Sequence, residues 1–428
     1  MRKLILRRYI FLTAMVCAAA GCTEEISTAP DLGFLKVNPR TAEVLIPFED
    51  FIDEVLVFDG YGSTSDIGRG WVAADLDGLN ARTLVGFDEY PTTPSSDQNR
   101  GVLIFTGGRL VLHFDSLAGE LDSRVKVEVY QVEEEWHPES VNWEFAVDTT
   151  GGQRAWSQPG GGVTTLVGAA NFIPEASDSL SIPIDSAMVA FLKTEPGARP
   201  PALLVAAVGS GVSLQLVKMA LVLTSSTFLN PEPWEETVPA VTTSFMFDPA
   251  PPPSSGWLRV GGTPSWRSVL TMSLPREVTG TPETCGSVGC EIDLTEVHLN
   301  LAELVLTTRQ TELAFQPQDT TGVDIRPVLS PELLPKSPLG EAVAFPKGVP
   351  REVFAGQAGT QVFLPLTPLL VQVLDSAAVT GTVPVTSIAL FTNIEPHLIG
   401  FASFEGAGGA GAPALRLLYT VTNPVGLP

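Results

Sequence analysis

Val125-Lys126-Val127-Glu128-Val129-Tyr130 sets three valines on one side of an extended chain and polar-tipped groups on the other. A period of two is the mark of a half-buried strand, because successive side chains leave a pleated backbone on opposite faces. The same alternation runs through Leu110, Leu112 and Phe114, and through Val297, Leu299 and Leu301. Clusters of Gly, Pro, Ser, Asn and Asp separate these runs as turns. Only residues 186–193 and 367–374 carry a helical pattern, of two turns at most. The pattern predicts an all-β chain of antiparallel sheets.

Working outward, the pattern is written twice. Gly70-Trp71-Val72 returns as Gly256-Trp257-Leu258, and Arg82-Thr83-Leu84-Val85 as Arg267-Ser268-Val269-Leu270. Ile182-Pro183-Ile184 returns as Leu364-Pro365-Leu366, and Ala202-Leu203-Leu204-Val205 as Ser387-Ile388-Ala389-Leu390. The offsets run from 182 to 186 and keep their order. Phe58-Asp59 returns as Phe247-Asp248, which puts the proline run 249–253 in a surface loop of the second copy. The expectation is two tandem antiparallel β-sandwich (jelly-roll-like) domains at 41–225 and 239–424, joined by a linker at 226–238.

The 428 residues carry 25 Lys+Arg against 48 Asp+Glu, a net charge of −23. So acidic a surface repels phosphate backbones, which argues against a nucleic-acid partner. The chain opens with four basic residues, Arg2, Lys3, Arg7 and Arg8, followed by twelve uncharged residues, 9–20. Twelve is too short to span a bilayer and fits the centre of an export signal. The run ends Ala19-Ala20-Gly21-Cys22, which resembles a bacterial lipobox. The resemblance implies cleavage after residue 21 and acylation of Cys22, with 22–40 as a tether to the lipid bilayer. Thr23 in place of Asp points to the outer membrane. The alternative is an ordinary secretory signal with Cys22 incidental. Loss of 1–21 takes the charge from −23 to −27.

Cys17 leaves with the signal, so Cys285 and Cys290, in a turn-rich stretch, remain as an even pair. In an oxidising envelope they read as a disulfide closing a small loop.

Trp136, Glu139, Ser140, Val141, Asn142 and Trp143 follow the strand Val127-Glu128-Val129-Tyr130. Together with Arg82-Thr83-Leu84-Val85-Gly86-Phe87-Asp88 upstream, this segment resembles the DNRLRE-type β-jelly-roll family, which includes carbohydrate-binding modules. The ending Pro413-Ala414-Leu415-Arg416-Leu417-Leu418-Tyr419-Thr420 fits the same outline, although the second copy has no paired-Trp segment. The resemblance implies a jelly-roll fold and a role in sugar binding.

The chain contains no metal-type histidine pair, G-x-S-x-G elbow or P-loop, and its Gly-rich stretch 406–411 enters a strand rather than the helix that a dinucleotide glycine pattern opens, so the motif routes to hydrolase and nucleotide chemistry are closed. Asp75 and Asp77, in Asp75-Leu76-Asp77-Gly78-Leu79-Asn80, can supply oxygen ligands to calcium, with an Asx-rich turn as the plainer reading; no other cofactor is expected. Exposed indoles stack on sugar rings. Trp156, in a polar loop before three glycines, is the foremost candidate contact, followed by Trp71 and Trp257, whose matching places in the two copies also suit core packing. Trp234 and Trp266 are further candidates, whereas Trp136 and Trp143 read as strand-pinning residues. The run 133–135 reads as a solvated edge.

The sum is a non-catalytic, lipid-anchored envelope protein that binds an extracellular glycan or envelope polymer. The rival readings are a spacer or partner subunit of an envelope protein complex, and an enzyme acting on polysaccharide.

Overall fold

A computed structural model describes residues 39–421 apart from 60–61, 66–67, 95–100, 116–123, 175, 196–197, 199–200, 264, 286–288, 393–398 and 409–410. The fold is all-β, built from antiparallel sheets. Val125, Val127 and Val129 point into the core while Lys126 is exposed, as the alternation requires. The expected signal peptide 1–21, Cys22 and all but the last two residues of the expected tether 22–40 lie outside the described residues.

One sheet runs in the order Ser179–Ile184, Leu103–Asp115, Val212–Thr227, Trp234–Asp248, Leu79–Phe87, Ala202–Val208, Val125–Val132, Thr164–Phe172. Gly70–Leu76 pairs with both Val212–Thr227 and Leu79–Phe87. The sheet folds over until its two end strands touch: a Cβ on Gly168 would stand 2.8 Å from the Ile182 side chain. The enclosed core holds Val85, Phe87, Leu110, Leu112, Val127, Leu203 and Leu221 among others.

The second half repeats this order, with two strands, Arg40–Pro47 and Ile52–Phe58, in the place of Trp234–Asp248, and is split between them into a four-stranded and a five-stranded layer. The first layer is Gln361–Pro365, His298–Thr307, Ala414–Val421, Arg40–Pro47; the second is Ile52–Phe58, Arg267–Met272, Thr386–Thr392, Thr321–Pro327, Lys347–Val349. Their inner faces share one core, including Ile46, Phe51, Leu270, Leu304, Phe354, Leu390 and Tyr419.

The strand partners do not follow the expected boundaries. Arg40–Pro47 pairs with Ala414–Val421, and Ile52–Phe58 with Arg267–Met272, so residues 40–58 belong to the second sheet system. Trp234–Asp248 pairs with Val212–Thr227 and Leu79–Phe87, in the first. Each copy of the sequence therefore lends its opening strand to the other. The supposed linker is a hairpin loop: Ser225 already faces Trp234, and the Thr227 N–H donates to the Asn230 carbonyl at 2.9 Å. A connection this short folds the next strand back on the one before it, because closing a short loop costs little entropy. Residues 40–58 fill the equivalent vacancy in the second half. The proline run 249–253 follows the donated strand and leads to Leu258–Val260 in the second system, so it is the crossover and not a loop inside one copy.

The two systems meet in a shared apolar cluster, with Trp71, Ala81 and Phe245 from one and Phe315, Ile399 and Phe401 from the other. Of the two helices expected, Ser186–Phe191 is short and begins on Asp185, whose side chain accepts from the Met188 N–H at 2.8 Å. The other is longer than expected, Thr367–Thr380, because Leu370, Val373, Leu374 and Ala377 continue one buried face. It stops at Gly381, which adopts the left-handed conformation (φ 78°) that suits a helix C-terminus. Cys285 and Cys290 form a disulfide with Cα atoms 5.6 Å apart, and both pack against the second core.

Candidate binding cleft

Trp156 is buried, only 5% exposed, and not displayed on a loop. Its Nε1 donates to the Asn142 carbonyl at 3.0 Å. It covers the outer face of the first sheet together with Leu84, Trp136, Leu204 and Met246. The three glycines after it explain the burial. Gly160, Gly161 and Gly162 have φ of 82°, 127° and 72°, a region nearly closed to other residues. They turn the loop down onto the sheet, and a Cβ on Gly160 would come within 2.9 Å of the Trp143 ring.

Glu134 holds that loop from below, which a solvated edge would not do. Its carboxylate accepts from the Ser157 and Val163 N–H groups at 3.2 and 3.0 Å, and from the Ser157 hydroxyl. Burial pushes the Glu134 carboxyl up. The Ser157 hydroxyl, the two N–H groups and the charge of Arg154 outweigh it and hold the group below the usual carboxylate range.

Trp71 is 2% exposed and its Nε1 donates to Ser213 Oγ at 3.0 Å, a core role. Its true counterpart is not Trp257. The Trp71 N–H donates to Thr83 Oγ1 at 2.7 Å and its carbonyl accepts from the same hydroxyl at 2.8 Å. In the second copy Ser268 makes this pair of bonds with Arg259, both at 2.8 Å. Trp257 is half-buried, with the Arg309 guanidinium 3.4 Å from its ring centre. Trp234 is half-buried and donates to Glu236 at 2.8 Å.

Asp75 lies near the end of the strand Gly70–Leu76 and Asp77 in the turn before Leu79–Phe87, at φ of 47° and 52°. The Asn80 side chain closes that turn, accepting from the Asp75 N–H and donating to the Gly78 carbonyl, each at 3.2 Å. Among the described residues no three His, Cys, Asp or Glu side chains come together as a metal-holding group.

The seam between the two systems makes a concave surface. A cleft of about 640 Å³ opens where the two exchanged strands end, at Asp59 after one and at residues 245–248 of the other. Its walls carry the indoles of Trp143 and Trp266, both half-buried, beside Phe245 and Phe247. Ser140, Asn142 and Thr263 add neutral polar groups.

The segment 139–148 is held rigidly. Asn142 Oδ1 accepts from the Glu144 and Phe145 N–H groups at 3.0 and 2.9 Å, and its Nδ2 donates to Asp148 at 3.0 Å. The Ser244 hydroxyl ties the segment to the sheet through the Pro138 carbonyl at 2.8 Å. Each indole is braced by a cation: Arg82 lies 5.1 Å from the Trp143 ring centre and Arg259 4.8 Å from that of Trp266. Arg259 is fully buried between Trp266 and Phe401.

Trp143, expected to pin strands, also lines the cleft. Its signal in the sequence is its place beside Trp136 in the segment 136–143. Trp266 had none beyond being an indole, since its position in the cleft depends on the crossing of the two halves.

No family model matches the chain, and no curated protein does. One solved structure, of the Macrobrachium rosenbergii nodavirus, aligns over 94% of both chains at 9% identity and a TM-score of 0.12, and carries no argument.

Proposed function

We propose that the chain is a non-catalytic binding module for an extracellular glycan, held at the outer membrane by an acylated Cys22, and that the cleft at the seam is its binding site. The observation that carries this reading is the pair of half-buried indoles, Trp143 and Trp266, in one cleft with hydroxyl, amide and carboxylate groups. Aromatic rings take the apolar face of a sugar ring, and the polar groups take its hydroxyls. Among the described lining residues none is Lys, Arg or His, so anionic polymers find no partner there.

The test is a glycan array probed with residues 23–428, followed by titration of the best binder. Trp143→Ala and Trp266→Ala should each weaken binding by at least tenfold, the scale of one lost stacking platform, with circular dichroism unchanged. A folded protein that binds no sugar removes the reading. For the anchor, Cys22→Ala should move the protein from the membrane fraction to the soluble fraction; retention after a high-salt wash would count against acylation.

A specific surface favours the rival reading, a partner in an envelope assembly. Val102, Ile104, Phe228 and Leu229 are 80%, 50%, 92% and 72% exposed. They lie together at one end of the first sheet, where Thr227 faces Leu103 and Ser226 faces Ile104. A contiguous apolar tip of this kind is a docking feature.

A further inference from the structure

Resting on the glycan reading, we propose that the cleft selects sugars bearing protonated amines, of the class of β-1,4-linked glucosamine oligomers, over their N-acetylated and acidic counterparts. Five carboxylates line the cleft: Asp59, Glu139, Glu144, Asp148 and Asp248. None of the five belongs to an ion pair among the described residues. Asp148 is held only by neutral amides, from Asn142 at 3.0 Å and Gln153 at 2.6 Å.

The cations nearest the indoles stand outside the cleft lining and pair with none of the five carboxylates. Arg82 is spent on the Gly160 carbonyl at 2.8 Å and the Trp143 ring, and Arg259 is sealed between Trp266 and Phe401. With one side of each indole occupied by a guanidinium, the surface left for a ligand is the one lining the cleft.

A glucosamine unit matches this surface. Its apolar ring face stacks on an indole, and its ammonium group meets the carboxylates and the π-face of a neighbouring ring. A single exposed charge pair is worth little in water. Five carboxylates without an ion-pair partner around a concave, aromatic-walled site act together, because such walls focus the field. An N-acetylated unit keeps the stacking and loses the charge, and a uronate unit is repelled.

The test is calorimetric titration of residues 23–428 with three hexasaccharides, of glucosamine, N-acetylglucosamine and galacturonate, at about 20 mM and about 500 mM salt. The glucosamine hexamer should bind about tenfold tighter than the acetylated one at low salt, and the advantage should vanish at high salt. Asp248→Asn combined with Glu139→Gln should reduce the ratio of the two affinities by about threefold. Equal or tighter binding of the acetylated hexamer overturns the proposal and leaves the glycan reading standing. No binding of any hexamer by folded protein overturns the proposal alone, and the glycan array then decides the glycan reading. A hexalysine peptide binding as tightly as the glucosamine hexamer also overturns it, since the cleft would then read charge alone.

Discussion

Deletion of residues 39–59 is expected to unfold the second sheet system while the first stays folded. The lost segment buries Ile46, Phe51 and Ile52 in the second core, at about 1.5–3 kcal/mol for each apolar side chain. It also uncovers two strand edges, those of Ala414–Val421 and Arg267–Met272, and breaks the bond from the Arg416 guanidinium to Glu43 at 2.8 Å. The apolar loss alone is roughly 5–9 kcal/mol, comparable with the whole stability of an ordinary domain.

After the deletion one strand, Trp234–Asp248, faces two equivalent vacancies. The hairpin at 226–233 decides between them: leaving the first sheet would break the pairing of Trp234–Pro239 with Val212–Thr227 for no gain in area. Amide exchange should therefore show protection lost in His298–Thr307 and Ala414–Val421 and kept in Leu79–Phe87 and Val212–Thr227. A truncated protein with both sets still protected would mean that the opening strand is not needed where it lies.

That exchange marks the limit of what could be read from residues alone. The alternation at 125–130 identified a strand and its buried face, and the matched segments identified two copies with one strand order. What local pattern could not say is which core accepts 40–58. Ala42, Val44 and Ile46 alternate in a way that satisfies either half, since both halves offer the same kind of slot. The decision lies in the length of a loop almost two hundred residues away, between Thr227 and Trp234. The cleft was illegible for the same reason. Asp59, Trp143, Phe247 and Trp266 belong to four separate segments, and only the crossing of the two opening strands brings them to one place.

Trp156 marks a different limit. Arg154-Ala155-Trp156-Ser157-Gln158-Pro159 has the composition of a loop, and a loop follows the short strand Gly152–Ala155. Polarity near an indole does not make the indole exposed, however. Where three consecutive glycines supply left-handed turns, a polar loop can lie flat on a sheet and bury its one large ring.

The consequence is measurable as stability and not as recognition. Trp156→Ala should cost about 3–5 kcal/mol, the usual range for removing a large buried aromatic side chain. It deletes the indole packed against Trp136, Leu204 and Met246 and leaves the Asn142 carbonyl without its donor. Urea unfolding should show the midpoint fall with little change in slope. Trp143→Ala, at a half-buried ring, should cost less in stability and more in sugar affinity. A variant that loses under 1 kcal/mol and binds no sugar would reverse the assignment, placing Trp156 at the ligand and the seam cleft outside the function.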